Sequence, residues 1–268
     1  DGIRDVERSR GLGDVYKRQL KNCLKDLMKD LKSSKFSYLI LVLDNNSSDD
    51  LIDLEEKYKS FKKIKFYYSK KNLGFSKGHN LLSKKSQSKF ILILNPDIRF
   101  LEEKTIERLL AVFKESSKIK VVGPKLLKAN GQPQPWDHGE IVGWQSKLAD
   151  KIGGSIWKER NLKEKVAWVS GVFLLIERKI FEKVGGFDEN FFLYKEEEDL
   201  CLRIRKQRFK IIYNPEVKVM HIGSVVASKE KFMPASRKYF LKKHFSKKFS
   251  YKILELLFRL KSFILKDN

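Results

Sequence analysis

From residue 20 onward the chain alternates between two hydrophobic rhythms. Leu20, Cys23, Leu24, Leu27, Met28 and Leu31 recur at helical spacing with charged residues between them, which predicts an amphipathic helix. Tyr38–Leu43, YLILVL, is a continuous apolar run of strand length, typical of a strand covered on both faces. The polar cluster DNNSSDD ends it and can cap a helix beginning near Leu51. Ile64–Tyr68 predicts a second strand, then the turn KKNLGFSKGHN and a short helix. Phe90–Leu94 predicts a third strand, then a turn at Asn95–Asp97 and a helix from about Glu102 to Phe113. Strands alternating with helices imply a parallel sheet with crossover helices.

After Val121 the rhythm changes to a segment rich in Gly, Pro and Trp that reads as an irregular insertion up to Arg160. Val166–Ile176, with Gly171 in its middle, is apolar strand material, and FKIIYNP and VKVMHIG are strand-like. In such sheets ligands bind beyond the carboxyl ends of the strands. Asp44–Asp50, Asn72–Asn80 and Asn95–Asp97 all fall at such ends, which predicts a site along one edge.

Composition narrows the class. The 268 residues are 41% hydrophobic and 12% aromatic, a globular composition. Two cysteines without metal spacing fit a reducing compartment. No apolar run approaches the roughly 18 residues of a spanning helix, and no secretory signal is visible. The net charge of +23 is concentrated at the end, where residues 236–268 hold ten Lys/Arg against two acids. Such asymmetry suits an anionic surface, unless it is only a solubilising composition. No zinc, RRM-like or helix-turn-helix signature accompanies the charge, so no nucleic-acid partner is expected. Ile253, Leu256, Leu257, Leu260, Phe263 and Ile264 form an apolar stripe beside Lys252, Arg259, Lys261 and Lys266. Residues 246–268 therefore predict a basic amphipathic helix for an anionic membrane surface, or a terminal helix packed on the domain.

Against this positive background, FFLYKEEEDLCLR places four acids in a row. If a helix begins near Glu196, then Glu197, Leu200, Cys201 and Ile204 share one face, and Asp199 can pair with Arg203. Glu197 would then turn inward. The positive end of the helix dipole also stabilises acids there, so the run alone can be structural.

Residues 1–19, DGIRDVERSRGLGDVYKRQ, show no periodicity and read as a non-native leader. Asp14–Gln19 back-translates to a sequence resembling the transposon end used in library preparation.

The remaining motifs fall in a familiar order. VLDNNSSDD, NLGFSKGHN, ILNPD, WVSGVFLLIERKIFEKVGGFDENFFLYKEEEDLCLR and VKVMHIGS together resemble the family 2 glycosyltransferases, particularly bacterial rhamnosyltransferase-like members, over about Leu20 to Phe245. The resemblance implies an α/β fold of the GT-A type, with a mostly parallel central sheet flanked by helices. Residues 20–120 would be a Rossmann-like half that binds the nucleotide sugar, and 121–245 the acceptor and catalytic half. It implies an inverting, metal-dependent transfer of a sugar from a nucleoside-diphosphate donor to a saccharide or lipid-linked saccharide. The setting would be envelope polysaccharide synthesis at the cytoplasmic face of the plasma membrane.

By the same resemblance Asp44, Asn46, Asn72, Gly74, Phe75 and Asn95 would line the donor. Asp97 and His221 would hold Mg²⁺ or Mn²⁺, and Glu197 would be the general base. Trp168, Gly171, Asp188, Glu196 and Asp199 would lie on the acceptor side, over a floor shaped by Gly185, Gly186 and Phe187. Asn80 is expected to anchor its own helix. Trp136, Trp144 and Trp168 suit either sugar stacking or core packing. The chain departs from the usual pattern at two places: Asn95 stands where D-x-D has its first Asp, and Glu197 where the base is usually Asp. An apolar first strand is also expected of the family, and residues 1–19 do not supply it. An exposed neighbouring edge and poor activity would follow. A catalytically impaired relative and a basic nucleic-acid binder remain the alternatives; a sugar nucleotidyltransferase lacks its Gly-rich, basic first loop.

Overall fold

The apolar runs form strands and the amphipathic repeats form helices in the predicted order. The computed structural model describes residues 13–47, 50–141, 155–223 and 229–246, so the stripe at 253–264 and Trp144 lie outside the described residues. Helix α1 (Gly13–Leu31) leads to β1 (Ile40–Asp44), α2 (Ile52–Tyr58), β2 (Ile64–Tyr68), α3 (Gly74–Ser83), β3 (Phe90–Leu94) and β4 (Ile98–Phe100). Then come α4 (Thr105–Val112), β5 (Ile119–Leu127), β6 (His138–Ile141), β7 (Ser155–Ile156), β8 (Glu164–Val166) and β9 (Trp168–Val169). The chain continues through β10 (Phe173–Glu177), α5 (Arg178–Lys183), α6 (Glu196–Lys206), β11 (Lys210–His221) and α7 (Lys229–Phe245).

Several boundaries differ from expectation. The segment read as irregular after Val121 contains the rest of β5 as well as β6 and β7. Helix α1 begins inside the segment read as a leader, because Tyr16, Gln19 and Cys23 extend the buried stripe backwards at helical spacing. Helix α4 starts three residues later than expected. Lys104 ahead of it is left-handed (φ 57°), and the cap comes from another helix. Asp30 of α1 accepts the amide hydrogens of Thr105 at 2.7 Å and Ile106 at 3.1 Å.

The strands form a six-stranded sheet with path β3-β10-β5-β11-β4 and β8 beside β11, a two-stranded sheet β1-β2, and a small sheet β7-β6-β9. Pairs β1/β2 and β5/β11 are parallel, as the βα rhythm requires. The sheet carries more antiparallel pairing than expected: β10 runs against both β3 and β5, and β4 and β8 against β11. These strands enter from a tight turn or from the irregular segment, and neither is a helical crossover. Strands β1 and β3 are not paired with each other among the described residues.

The two ends of the six-stranded path are joined by Asn95, Pro96 and Asp97 alone. A link that short spans roughly 13 Å at most, so the sheet must curl until β3 and β4 nearly meet. One hydrophobic cluster fills the α1 side, with Leu24, Leu27, Val42, Ile98, Leu109 and Phe173. A second lies under α5 and α6, with Trp168, Ile176, Phe181, Phe187, Leu200 and Cys201. Strand β5 threads between them, and its Gly123 lies under β9: a methyl group there would stand 2.6 Å from Val169 Cβ. Gly123→Ala should therefore cost about 1–3 kcal/mol, read as a lower urea midpoint at unchanged slope.

Candidate active site

The site grows from three strand ends. At the end of β1, Asp44 Oδ1 accepts the Ser47 amide at 2.8 Å, and Asn46 is exposed in the left-handed region (φ 63°). The residue between them does most of the joining. Asn45 accepts the Leu73 amide through Oδ1 at 2.8 Å, and its amide group donates to Asn72 Oδ1 at 3.1 Å and to the Gly74 carbonyl at 3.3 Å. Asn72 Oδ1 also accepts the Gly74 amide at 2.9 Å. Gly74 is left-handed (φ 74°), and a methyl group there would meet the Phe192 carbonyl at 2.6 Å. Phe75 then donates its amide to that same carbonyl at 2.8 Å. The loop that resemblance assigns to the donor is thus pinned to the β1 turn on one side and to Phe192 on the other.

Beneath it, Phe75 lies 5.5 Å from the Phe187 ring in an edge contact. Asn80 does more than anchor its helix, correcting that expectation. Its side chain takes the Phe187 amide at 3.0 Å and gives hydrogen bonds to the Phe187 carbonyl and Glu189, across more than 100 positions of sequence. A short polar side chain can do this because Gly186, at φ 68°, leaves its oxygen room.

The end of β3 supplies the second group. The Asn95 amide donates to the Val172 carbonyl at 2.9 Å, extending the β3/β10 ladder into the turn. Asp97 is buried, 2% exposed, and its Oδ2 lies 2.9 Å from His221 Nε2 at the end of β11. The Ile222 amide closes the same corner on the Asp97 carbonyl at 3.0 Å. From below, the Cys23 thiol of α1 points at the Asn95 carbonyl, 3.8 Å away. Burial, with the charges of Asp26 and Asp97, pushes that thiol up to about 12, so it stays protonated.

A buried carboxylate beside an imidazole suits a divalent cation whose remaining ligands are water and phosphate oxygens. Among the described residues no set of three or more His, Cys, Asp or Glu side chains is arranged as a complete cage. The pair therefore fits a cation shared with a diphosphate better than one held by protein alone.

The third group comes from α6. Tyr194 and Lys195 are both left-handed (φ 71°), a sharp and strained entry into the helix. Leu200, Cys201 and Ile204 are fully buried below Glu197, as the sequence periodicity requires. Gly171 lets the helix approach: a methyl group there would stand 3.1 Å from the Phe75 ring and 3.6 Å from Glu197 Cβ. Glu197 and Phe75 thus flank Gly171, the neighbour of the Val172 whose carbonyl holds Asn95. Its Oε2 is shielded from solvent and makes no hydrogen bond. Burial first, then the Glu198 charge, raises the carboxyl to about 7, against the pull of nearby amides and Lys195. Glu196 is pushed up in the same way by burial and by the Glu197 charge.

The other acids of this region are occupied. Glu198 forms a buried ion pair with Lys195 at 2.7 Å. Asp199 binds Arg203 at 2.7 Å, as expected, and also Lys243 and His244 of α7 at 2.6 Å each. Asp188 is held by Tyr239 at 2.9 Å and Lys243 at 2.6 Å. Burial opposes the charge on both aspartates, but these partners outweigh it and keep their carboxyls below the ordinary range. Asp188 and Asp199 fasten α7, so their assignment to the acceptor side is replaced by a structural role. Trp168 is corrected likewise: it is 2% exposed, beneath Gly139, and belongs to the core. Trp136 is 45% exposed. A surface cleft of about 450 Å³ between Ser37–Leu39 and Lys84–Ser88 opens at the opposite ends of β1 and β3, away from these groups.

The profile of the family described as "Glycosyl transferase family 2" matches residues 15–185. The chain belongs to that family. Among family 2 relatives, the low-salt glycan biosynthesis hexosyltransferase Agl10 of Haloferax volcanii is 30% identical over 64% of this chain and 54% of its own. An N-acetylglucosaminyl-diphospho-decaprenol L-rhamnosyltransferase of Mycobacterium tuberculosis is 27% identical over 49% of this chain and 46% of its own. Rhamnosyltransferase WbbL of Escherichia coli is 26% identical over 74% and 78%. The chain thus spans about half the length of the first two. Two solved structures share the GT-A fold. GalNAc-T7 with UDP, GalNAc and Mn²⁺ superposes with TM-score 0.58 at 15% identity, over 76% of this chain and 42% of that one. The mannosyltransferase PcManGT of Pyrobaculum calidifontis with GDP-Man and Mn²⁺ gives 0.56 at 12%, over 86% and 60%.

The raised Glu197 carboxyl has a cost in stability. Between about 4.5 and 7 the unfolded chain has lost this proton while the folded chain keeps it, so stability contributed by Glu197 is lost as pH rises through that window. Glu197→Gln should therefore be more stable than the parent by about 1–3 kcal/mol at pH 8, with the difference fading toward pH 4.5, in urea titrations at each pH.

Proposed function

We propose that this chain is an inverting hexosyltransferase that moves one sugar from a nucleoside-diphosphate donor to a saccharide or lipid-linked saccharide. Rhamnose is the first sugar to test, given the rhamnosyltransferase relatives. The observation that carries the reading is the approach of Glu197 to the donor loop across Gly171, beside the turn that ends in Asp97. The Glu197 carboxylate takes the proton of an acceptor hydroxyl, whose oxygen attacks the anomeric carbon as the glycosyl–phosphate bond breaks. A single displacement from the face opposite the diphosphate inverts that carbon. Asp97 and His221 would hold Mg²⁺ or Mn²⁺, which supplies positive charge for the departing diphosphate. The turn around Asp44 and Asn45 would receive the nucleoside, with the loop around Asn72 and Gly74 beside it.

The acceptor setting follows from the lipid-linked substrates named for relatives and from the basic stripe of the last residues. No helix among the described residues is long and apolar enough to cross a membrane. Membrane attachment, in this reading, is peripheral and electrostatic.

A panel of nucleotide sugars, scored for nucleoside diphosphate release, tests the activity. With the active donor, kcat should rise with pH through about 7 as Glu197 ionises. Glu197→Gln should lower kcat by about 10²–10⁴-fold with donor affinity retained; unchanged kcat would remove the assignment. Asp97→Asn should abolish the response of donor binding to Mn²⁺, measured by calorimetry with and without the metal.

A further inference from the structure

His221 makes a second contact that the proposed chemistry leaves unexplained. Its Nδ1 lies 2.8 Å from Oε1 of Gln134, while Nε2 faces Asp97 at 2.9 Å. An amide oxygen can only accept, so Nδ1 carries the hydrogen of this bond, which leaves Nε2 to serve as a ligand once a cation takes the place of its contact with Asp97. We propose that Gln134 is a positioning residue that fixes the ring orientation and tautomer of His221, so that Nε2 is delivered to a divalent cation beside Asp97. The inference rests on His221 being a ligand of that cation.

The backbone around Gln134 is built to hold it still. Pro133 and Pro135 flank it, each fixing its own φ. The Gln134 amide donates to the Leu126 carbonyl of β5 at 2.9 Å, and Pro133 bridges to Leu127. The Lys128 amide closes the turn on the Gln132 carbonyl at 2.8 Å. Just beyond, the buried Asp137 accepts the Leu126 amide at 3.2 Å, the Tyr213 hydroxyl at 3.0 Å and the Trp157 indole hydrogen at 3.1 Å. The turn is thus tied to β5 before it and to β11 after it. β5 and β11 are themselves paired up to Leu127 and Met220, next to His221. A side chain on such a turn has little freedom to leave its partner. An imidazole that serves a metal commonly gives its other ring hydrogen to an acceptor of this kind, and loss of that acceptor typically weakens metal binding 10–100-fold.

The test uses the full chain with nitrogen-15 histidine, the His221 signals being assigned by their loss in His221→Asn. In the parent with UDP and Mg²⁺, Nδ1 should be the protonated ring nitrogen, and Mn²⁺ titrated in the presence of UDP should broaden the His221 signals before those of His138 and His244. Gln134→Leu, which keeps the bulk and removes the acceptor, should raise the Mn²⁺ midpoint about 10-fold or more and mix the tautomers. Gln134→Glu, which restores an acceptor, should keep both close to the parent. Equal Mn²⁺ midpoints for the parent and Gln134→Leu, at equal thermal midpoints, would overturn the positioning role while leaving His221 as a ligand. Absence of Mn²⁺ broadening at His221 in the parent would overturn the ligand role itself, and the positioning role with it.

Discussion

The turn Asn95–Asp97 is the constraint from which the rest of the site follows. It joins the two ends of a six-stranded sheet with three residues, so the sheet curls and brings the ends of β3, β11 and β10 to one corner. Asp97 is buried by that curl, His221 reaches it from β11, and Gly171 arrives because β10 pairs with β3. Helix α6 then packs on Gly171, with Glu197 on one side of it and Phe75 on the other. None of these groups needs to be near another in sequence. Sheet closure does the work that proximity along the chain cannot.

The four acids at the start of α6 divide into two kinds. Glu198 and Asp199 have cationic partners at hydrogen-bond distance and serve as fasteners. Glu196 and Glu197 each keep one shielded carboxylate oxygen without a hydrogen bond, and burial raises both carboxyls. A stretch that resembles a uniform patch of charge is therefore an array of different environments one turn long. The helix dipole, which acts on all four alike, cannot account for the difference; the neighbours can.

Much of this was legible in the sequence, for reasons that can be named. Strands β1, β2 and β3 were visible as apolar runs bounded by polar clusters, and the helical spacing placed Leu200, Cys201 and Ile204 in the core; it did not show that Glu196, Glu198 and Asp199 are buried more deeply than the half-buried Glu197. Helical periodicity sees one helix at a time, so it missed that Asp30 of α1 caps α4, or that Asn80 grips the Phe187 backbone. Trp168 could not be told from a sugar platform, because an aromatic ring reads the same in a core and at a mouth. Gln134 carried no signal beyond its two flanking prolines. Asn45 was hidden between Asp44 and Asn46, where one asparagine among several looks like ordinary loop chemistry. The antiparallel strands were unpredictable for a related reason: the pairing of β10 is decided by partners 50 and 80 residues away.

The docking of α7 places one lysine between two acids. Phe240 fills a cluster with Phe191, while Lys243 pairs with both Asp188 and Asp199, and His244 lies 2.6 Å from Asp199. One ammonium group, 2.6 Å from each acid, thus ties α7 both to the turn after α5 and to the start of α6, and a change at position 243 would loosen both ties together.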